Sequence, residues 1–307
     1  MNYKFSVVIP LYNKRQEIEG TIRSVLAQTL PAHEIIVVDD GSTDGSGDIV
    51  KAIGSKSVRL IRQKNAGECA ARNRGIAEAT GNYIALLDAD DSYLPCFLEH
   101  AATMIDRWPG CGAYATGFYV TTQTGDYPGR TPECEGIIDD FFRICMTRFV
   151  CTASSVVIPR TVLDTVGGFP DGMALGGDQF MWIKIASEFP ICFSPKPLAR
   201  YFVAATNRSA AIYRSEKTEY SFRQLLDDKN YWRNEFIARV ALGKALTISS
   251  KGGTQDAAAA LHDFAFNRHS RRTWWKLRIL NSLPAAWRLP IHRLYNRMAW
   301  IIAKKGM

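Results

Sequence analysis

The 307-residue chain is 47% hydrophobic and 22% charged, which excludes a disordered or fibrous chain and fits one large folded domain or two small ones. Its net charge of +8 is lopsided: from Phe264 onward there are ten Lys or Arg and no acid, and taking those ten from +8 leaves the rest at −2. No uncharged apolar run approaches a membrane span, the N-terminus lacks a signal-peptide pattern, and seven scattered cysteines without C-x-x-C spacing predict reduced thiols of a cytoplasmic protein, not a zinc site or disulfide frame.

Phe5 to Pro10 is a β-branched run closed by proline and predicts a buried strand. From Asn13 the period changes: Ile18, Ile22, Val25 and Leu26 fall on one helical face, and Pro31 stops the helix. Glu34 to Val38 is a second strand running into Asp39-Asp40-Gly41-Ser42-Thr43-Asp44-Gly45-Ser46, a turn with Ser46 as one cap for the next helix. Val58 to Ile61 predicts a third strand, and Asn65 to Ala79 a helix. Tyr83 to Leu87 is a fourth strand, ending abruptly in Asp88-Ala89-Asp90-Asp91. Strand and helix alternating at this spacing predict parallel βαβ units in a doubly wound α/β sheet, whose carboxyl edge collects Tyr12-Asn13, Asp39-Asp40 and the Asp88–Asp91 cluster.

Further on, Ala113 to Val120 and Ser154 to Ile158 predict strands, with turn-rich sequence from Asp126 to Gly136. Thr161 to Val166 is a short helix stopped by Gly167-Gly168. A helix from Gln179 places Asp178 at its N-cap or just before it, where capping alone would account for the residue. Ile191 to Arg200, with two prolines, predicts an edge strand; Glu216 to Leu246 predicts a long amphipathic helix, Lys251-Gly252-Gly253 a break, and Asp256 to Phe266 another helix.

Three carboxylates within four positions repel one another and raise their own pKa values unless a cation intervenes. A hard divalent ion, Mn²⁺ or Mg²⁺, would relieve this and bridge to phosphates. A solvated acidic turn would also produce such a stretch. No G-x-G-x-x-G or Walker lysine loop follows the first strand, which speaks against a dinucleotide fold and against a nucleotidyltransferase.

The segments VVIPLYNK, IIVVDDGSTDGS, NAGECAARNRGI, YIALLDADD and GGFPDGMALGGDQFMWIKIA stand in an order that resembles the inverting family 2 glycosyltransferases of the GT-A fold, over roughly the first two-thirds of the chain. The resemblance implies transfer of a sugar from a nucleotide-sugar, guessed to be a UDP-sugar, to a glycan or lipid-linked hydroxyl in surface-polysaccharide or glycolipid assembly. It implies that Pro10 and Tyr12 frame the base, that Asp40 or Asp39 reads its edge, and that Asn65, Ala66, Gly67 and Arg72 face the donor. Asp88 would touch ribose or metal, Asp90 would ligate the metal with Asp91 as a second candidate, and Asp178 would be the general base. The family's usual Glu-Asp is Gly177-Asp178 here, which bears on acceptor orientation. A non-catalytic sugar-nucleotide-binding protein on the same fold is the alternative.

The expected organisation is a catalytic domain over 1–215 (nucleotide-sugar half 1–110, acceptor half 111–215), a helical extension over 216–267 and a basic amphipathic tail over 268–307. That tail holds Trp274, Trp275, Trp287 and Trp300, and from Pro290 the residues Ile291, Leu294, Tyr295, Met298, Ile301 and Ile302 share a helical face. Apolar stripe, tryptophans and cations describe a helix lying peripherally on an anionic membrane, at the inner face of the cytoplasmic membrane; packing on the enzyme itself would give the same stripe. No nucleic-acid module accompanies it, so nucleic acid is not an expected partner.

Overall fold

The computed structural model describes residues 3–203 and 218–304, with side chains up to 296, in two compact units. The first contains 3–203 and 218–220, the second 221–304.

The first unit opens with β1 (Phe5–Leu11), α1 (Ile18–Leu26), β2 (Glu34–Asp39), α2 (Ser46–Ala52), β3 (Val58–Arg62), α3 (Glu68–Glu78) and β4 (Tyr83–Leu86). β1 lies between β2 and β4, all parallel, with β3 outside β2. This is the doubly wound pattern expected from alternating β-branched runs and helical stripes. One face of β1 (Phe5, Val7, Ile9, Leu11) joins Ile18, Ile22 and Val25 of α1 in the main core. The other face meets α3, whose Gly75 leaves room for Val8 and Val38; a Cβ there would stand 3.3 Å from Val38 and collide with Val8. Each fully buried Val, Ile or Phe contributes about 1.5–3 kcal/mol, so a strand buried on both faces fixes its register firmly.

The chain continues through β5 (Ser92–Tyr93), α4 (Phe97–Arg107), β6 (Ala113–Thr122), β7 (Gly125–Pro128), β8 (Gly136–Ile137), α5 (Phe141–Cys145), β9 (Val156–Pro159), α6 (Arg160–Val166), α7 (Gly177–Glu188) and β10 (Ile191–Phe202). Among the described residues they complete one sheet in the order β3-β2-β1-β4-β9-β6-β10-β5, with β7 on β6 and β8 on β10. β9 runs antiparallel to both neighbours, so this half is mixed.

Four local expectations are corrected here. Ile191–Arg200 is no edge strand: β10 pairs with β6 on one side and with β5 and β8 on the other, and register shifts at Ser194/Pro197 and Pro197/Ala199 accommodate the prolines. The turn-rich Asp126–Gly136 contains β7, a hairpin partner of β6. Ser46 is the first residue of α2, and the cap is Gly45, whose φ of 85° suits glycine. Asp178 is likewise inside its helix: Gly176 (φ 78°) is the cap of α7, and Asp178 follows in the first turn, where its Oδ1 accepts from Gln179 N.

The second unit has a short 3-10 turn (Phe222–Leu225), then α8 (Tyr231–Ser250), α9 (Thr254–Asp263), α10 (Arg271–Ser282) and α11 (Ala285–Lys304). The continuous helix expected over Glu216–Leu246 is interrupted because Asn230 caps a fresh start, accepting from Arg233 N. Buried Glu235 accepts from the backbone N–H groups of Arg268 and His269, tying α8 to the start of α10. Arg288 is buried too, not a surface cation: it donates to the Leu283 and Asn281 carbonyls and to Thr254 Oγ1. That clamp holds the first turn of α11, so the helix begins before Pro290 and not at it. No helix among the described residues is long and apolar enough to cross a membrane.

Candidate active site

The site lies in the first unit, at the carboxyl ends of β1, β2 and β4. Beyond β1 the chain turns sharply: Asn13 takes a left-handed φ of 52°, its N–H donates to Ser42 Oγ, and its Oδ1 accepts from Thr43 N. This knots the β1 end to the β2 end. Pro10 and Tyr12 are half-buried beside it. Asp39 is buried; its Oδ1 accepts from Ser42 N and its Oδ2 stands 3.6 Å from Arg62. An open cleft of about 290 Å³ is lined by Asp39, Gly41, Ser42, Arg62 and Gln63 among others.

Asp40, the other candidate at this strand end, is buried and bonded to the following loop. Its Oδ1 accepts from Gln63 Nε2 at 2.8 Å and Ala66 N at 2.9 Å, and its Oδ2 from Gly67 N at 2.9 Å. Asn65 Nδ2 adds a bond to the Asp40 carbonyl. The residue clamps the 65–67 loop, leaving Asp39 as the acid on the cleft.

Arg72 is the pivot. It projects from α3 almost fully buried, and its Nη2 donates to Asp88 Oδ1 at 2.6 Å and pairs with Glu68. Its guanidinium lies 5.3 Å from the Phe169 ring centre. Burial alone would lower its pKa; Glu68 and Asp88, with a further contribution from Asp178, outweigh that and keep it charged. Its Nε is buried without a hydrogen-bond partner, a donor left over at the site.

Asp88 and Asp90 sit together past β4, partly exposed. Lys14 Nζ reaches Asp90 Oδ2 at 2.6 Å. Burial and then the Asp88 charge push Asp90 above the usual carboxylate range, against the pull of Lys14. Asp91 is different in kind: it is buried, its Oδ2 accepts from Ser154 Oγ at 2.5 Å and its Oδ1 from Phe202 N at 3.0 Å. Burial, then Asp88 and Asp90, push it well up as well. Both Asp91 oxygens are engaged in holding β4 to the 154 and 202 segments, so the structure does not present Asp91 as the second metal ligand.

Among the described residues no cluster of three or more His, Cys, Asp or Glu is arranged to hold a metal. The donor set still fits a hard divalent ion. Such an ion, Mg²⁺ above all, binds through one or two carboxylates and takes its other ligands from water and substrate phosphates. Asp88 and Asp90 supply carboxylate oxygens, and with Glu68 they outnumber the two cations, Arg72 and Lys14, that pair with them.

Asp178 stands in the first turn of α7, half-buried; its Oδ1 accepts from Gln179 N. Its charge acts on Arg72 and on Cys69, which brings it to the α3 side of the site. The loop before it is fixed by Asn73, which donates to the Phe169 carbonyl and Asp171 Oδ1 and accepts from Phe169 N. Sequence reasoning missed Lys14, Glu68, Asn73 and Ser154 as parts of the site. Lys14, Glu68 and Asn73 fall within the diagnostic segments, so their position was a signal; the pairing of Lys14 with Asp90 was not visible.

Parallel strand ends that gather a base-side acid, a buried arginine, paired carboxylates and a helix-borne acid suit a nucleotide-dependent transferase. The family model for glycosyl transferase family 2 matches residues 6–165, and the chain belongs to that family. It is 48% identical over 103 residues to the uncharacterized glycosyltransferase YibD of Escherichia coli, covering 33% of this chain and 30% of YibD. It is 39% identical over 124 residues to the putative teichuronic acid biosynthesis glycosyltransferase TuaG of Bacillus subtilis, covering 39% of this chain and 48% of TuaG. The matches thus span less than half the length of these two relatives. The fold is similar to that of S. aureus TarS, solved with UDP-GlcNAc, at a TM-score of 0.60 and 20% identity over 92% of this chain and 82% of that one. The fold is therefore that of the GT-A glycosyltransferases.

Proposed function

We propose that this chain transfers a sugar from a nucleotide-diphosphate sugar, a UDP-sugar, to a hydroxyl of a glycan or lipid-linked acceptor, with inversion, in cell-surface polysaccharide or glycolipid assembly. The observation that carries this is the excess of acids at the strand end, Glu68, Asp88 and Asp90 against Arg72 and Lys14, with Asp178 acting on the same arginine. Family membership, the name of TuaG and the UDP-GlcNAc held by TarS support the substrate class.

Pro10, Tyr12 and Asp39 border the nucleoside, Tyr12 by stacking and Asp39 from the cleft wall. The 65–67 loop, held by Asp40, and Arg72 face the diphosphate; the unpartnered Arg72 Nε is a donor for one of its oxygens. Asp88 and Asp90 would hold Mn²⁺ or Mg²⁺, which when bound stabilises the charge on the departing diphosphate. Asp178 accepts the proton of the attacking hydroxyl, which is too weakly acidic to ionise at neutral pH. One base facing one leaving group describes a single displacement, unlike the paired carboxylates of hydrolases.

The test is a screen of UDP- and GDP-sugars for slow hydrolysis with Mn²⁺ or EDTA, beside calorimetry of UDP. Asp178→Asn is expected to bind UDP normally and lose at least a hundredfold in kcat, as a base acts in the transition state. Equal UDP affinity with Mn²⁺ and EDTA would remove the metal, and a folded Asp178→Asn enzyme within about threefold of wild type would remove the base.

For location, the proposal is an anionic membrane surface at the inner face of the cytoplasmic membrane. On α10 and α11 the side chains of Trp275, Ile279, Trp287, Ile291, Leu294 and Tyr295 are exposed, with Arg271, Arg272, Arg278 and Arg293 exposed on the same helices. Each cation near such a surface contributes about 1 kcal/mol, screened by salt, while the apolar contacts are not. The full-length Trp287→Ser/Leu294→Ser variant is expected to float less with phosphatidylglycerol vesicles than wild type; equal flotation would count against this face.

A further inference from the structure

Gly177 opens α7 immediately before Asp178, and its φ is not in the left-handed region, so backbone conformation does not require glycine there. Space does. A Cβ at position 177 would collide with Cys69 Sγ, while the next atoms, Pro170 Cγ and Cδ, lie at ordinary distances of 3.7 and 3.9 Å. The thiol has little room to retreat. Cys69 is buried, and its Sγ–H donates to the Met173 carbonyl across 3.6 Å. Its helix is held on both sides, by Arg72 on Asp88 and by Asn73 on Phe169 and Asp171. Burial, only partly offset by Arg72, raises the thiol to about 12, so it fills this volume as a neutral group.

We propose that Cys69 and Gly177 are a size-matched pair that sets where Asp178 stands relative to Arg72 and Asp88. Both are positioning residues, and the inference rests on Asp178 being the base. The pair also accounts for the missing side chain before Asp178: the space such a side chain needs is taken by a sulfur from α3. The start of α7, which carries Asp178, is thereby packed directly against α3, which carries Arg72, in addition to the bonds of Cys69 to Met173 and of Asn73 to Phe169 and Asp171. A displacement of the order of 1 Å in a reacting group can cost about a hundredfold in rate.

The experiment is a double-mutant cycle on the full chain, following Mn²⁺-dependent UDP release from UDP-glucose, UDP-galactose and UDP-GlcNAc, with UDP affinity by calorimetry and Cys69 alkylation by iodoacetamide read by mass spectrometry. Gly177→Ala is expected to lower kcat about tenfold or more, leave UDP affinity within about twofold, and speed Cys69 alkylation as the thiol is displaced. Cys69→Ala is expected to cost about threefold, and the double variant to return to the Cys69→Ala level, a coupling that independent sites do not show. A Gly177→Ala enzyme within about twofold of wild type in kcat with unchanged alkylation, or a double variant no better than Gly177→Ala, overturns the pair. Should Gly177→Ala fail to fold, the double variant is compared with Cys69→Ala: equal kcat supports the shared volume, and a further tenfold loss overturns it. Asp178→Asn in the same assay separates the two assignments. If it is inactive while the cycle is additive, only the pair falls; if it turns over like wild type, the base assignment falls and the positioning role falls with it.

Discussion

β2 and β4 flank β1, run parallel to it and both end in acids, yet the two ends do different work. At the β2 end each oxygen of Asp40 is matched by donors: Gln63, Ala66 N and Gly67 N, all within 2.9 Å. At the β4 end three acids, Glu68, Asp88 and Asp90, share one arginine and one lysine, and Asp90 is pushed above its ordinary pKa by burial and by its neighbour. The same residue type at the same edge of the same sheet is fully matched by donors at one strand end and left with unbalanced charge at the other, which is the contrast that the proposed cation role rests on.

The largest expected effect follows from that contrast. Asp90→Asn should lose about a thousandfold or more in turnover and most of the cation-dependent part of UDP binding, while shifting stability by under about 1 kcal/mol, because the charge it removes is one the fold disfavours. Asp40→Asn should do the reverse: one carboxylate oxygen becomes an NH2 that faces a donor, leaving at least one of the three hydrogen bonds unmade at a cost of about 1–3 kcal/mol, and activity falls only as the 65–67 loop loosens. Thermal denaturation and kcat on both variants check this. A stable but dead Asp40→Asn beside an unfolded Asp90→Asn would invert the comparison.

The next effect is in pH. A raised Asp90 takes up its proton at a higher pH than a free carboxyl, and only the ionised form holds a cation. Mn²⁺-dependent UDP binding should therefore weaken on acidification before the ordinary Asp range near pH 3.9 is reached. Calorimetry from pH 7.5 downward measures it, and affinity that holds flat to pH 4 would show that Asp90 is not the group.

How much of this was legible in the sequence depends on the range over which each residue acts. The strand ends were, because β-branched runs breaking into Asp and Gly report a local event. Lys14 on Asp90 was not, since the pair spans 76 residues and no spacing encodes it. The resemblance left Asp40 or Asp39 as the base-reading acid, and the clamp that Asp40 makes was not visible because its donors arrive from a loop 26 and 27 residues on. The prolines of Ile191–Arg200 suggested an edge, whereas a bulged register keeps β10 inside the sheet. In the second unit, composition could not say which residues face inward: Trp274 donates to the Leu261 carbonyl and Arg288 is buried, while Trp275 and Trp287 are exposed. Gly177 was visible as a departure, but its cause, a thiol from another helix, appears only in three dimensions.

The smallest effect uses the amino end of β2 as a control for its carboxyl end. Glu34 opens the strand that Asp39 closes. Its Oε1 accepts from Ser6 Oγ at 2.8 Å and from the Thr80 N–H and Oγ1 at 2.7 Å, and Oε2 stands 3.6 Å from Arg59. Burial alone would raise its pKa, but the bonds from Thr80 and Ser6 and the charge of Arg59 outweigh it and hold the carboxyl below the usual glutamate range. A folded pKa below the unfolded one means that the stabilisation is present above the unfolded value of about 4.3 and is lost as pH falls through the folded value. Glu34→Gln should thus cost about 1 kcal/mol at pH 7, a few degrees in Tm, and the two proteins should converge below the folded pKa. Turnover per folded molecule should stay within about twofold, as nothing of the site lies at this end of the strand. Melting curves at pH 7 and pH 2.5 decide it: a gap of the same size at both would mean that shape, not charge, is what Glu34 contributes, and donor–acceptor matching would then lose its simplest test case.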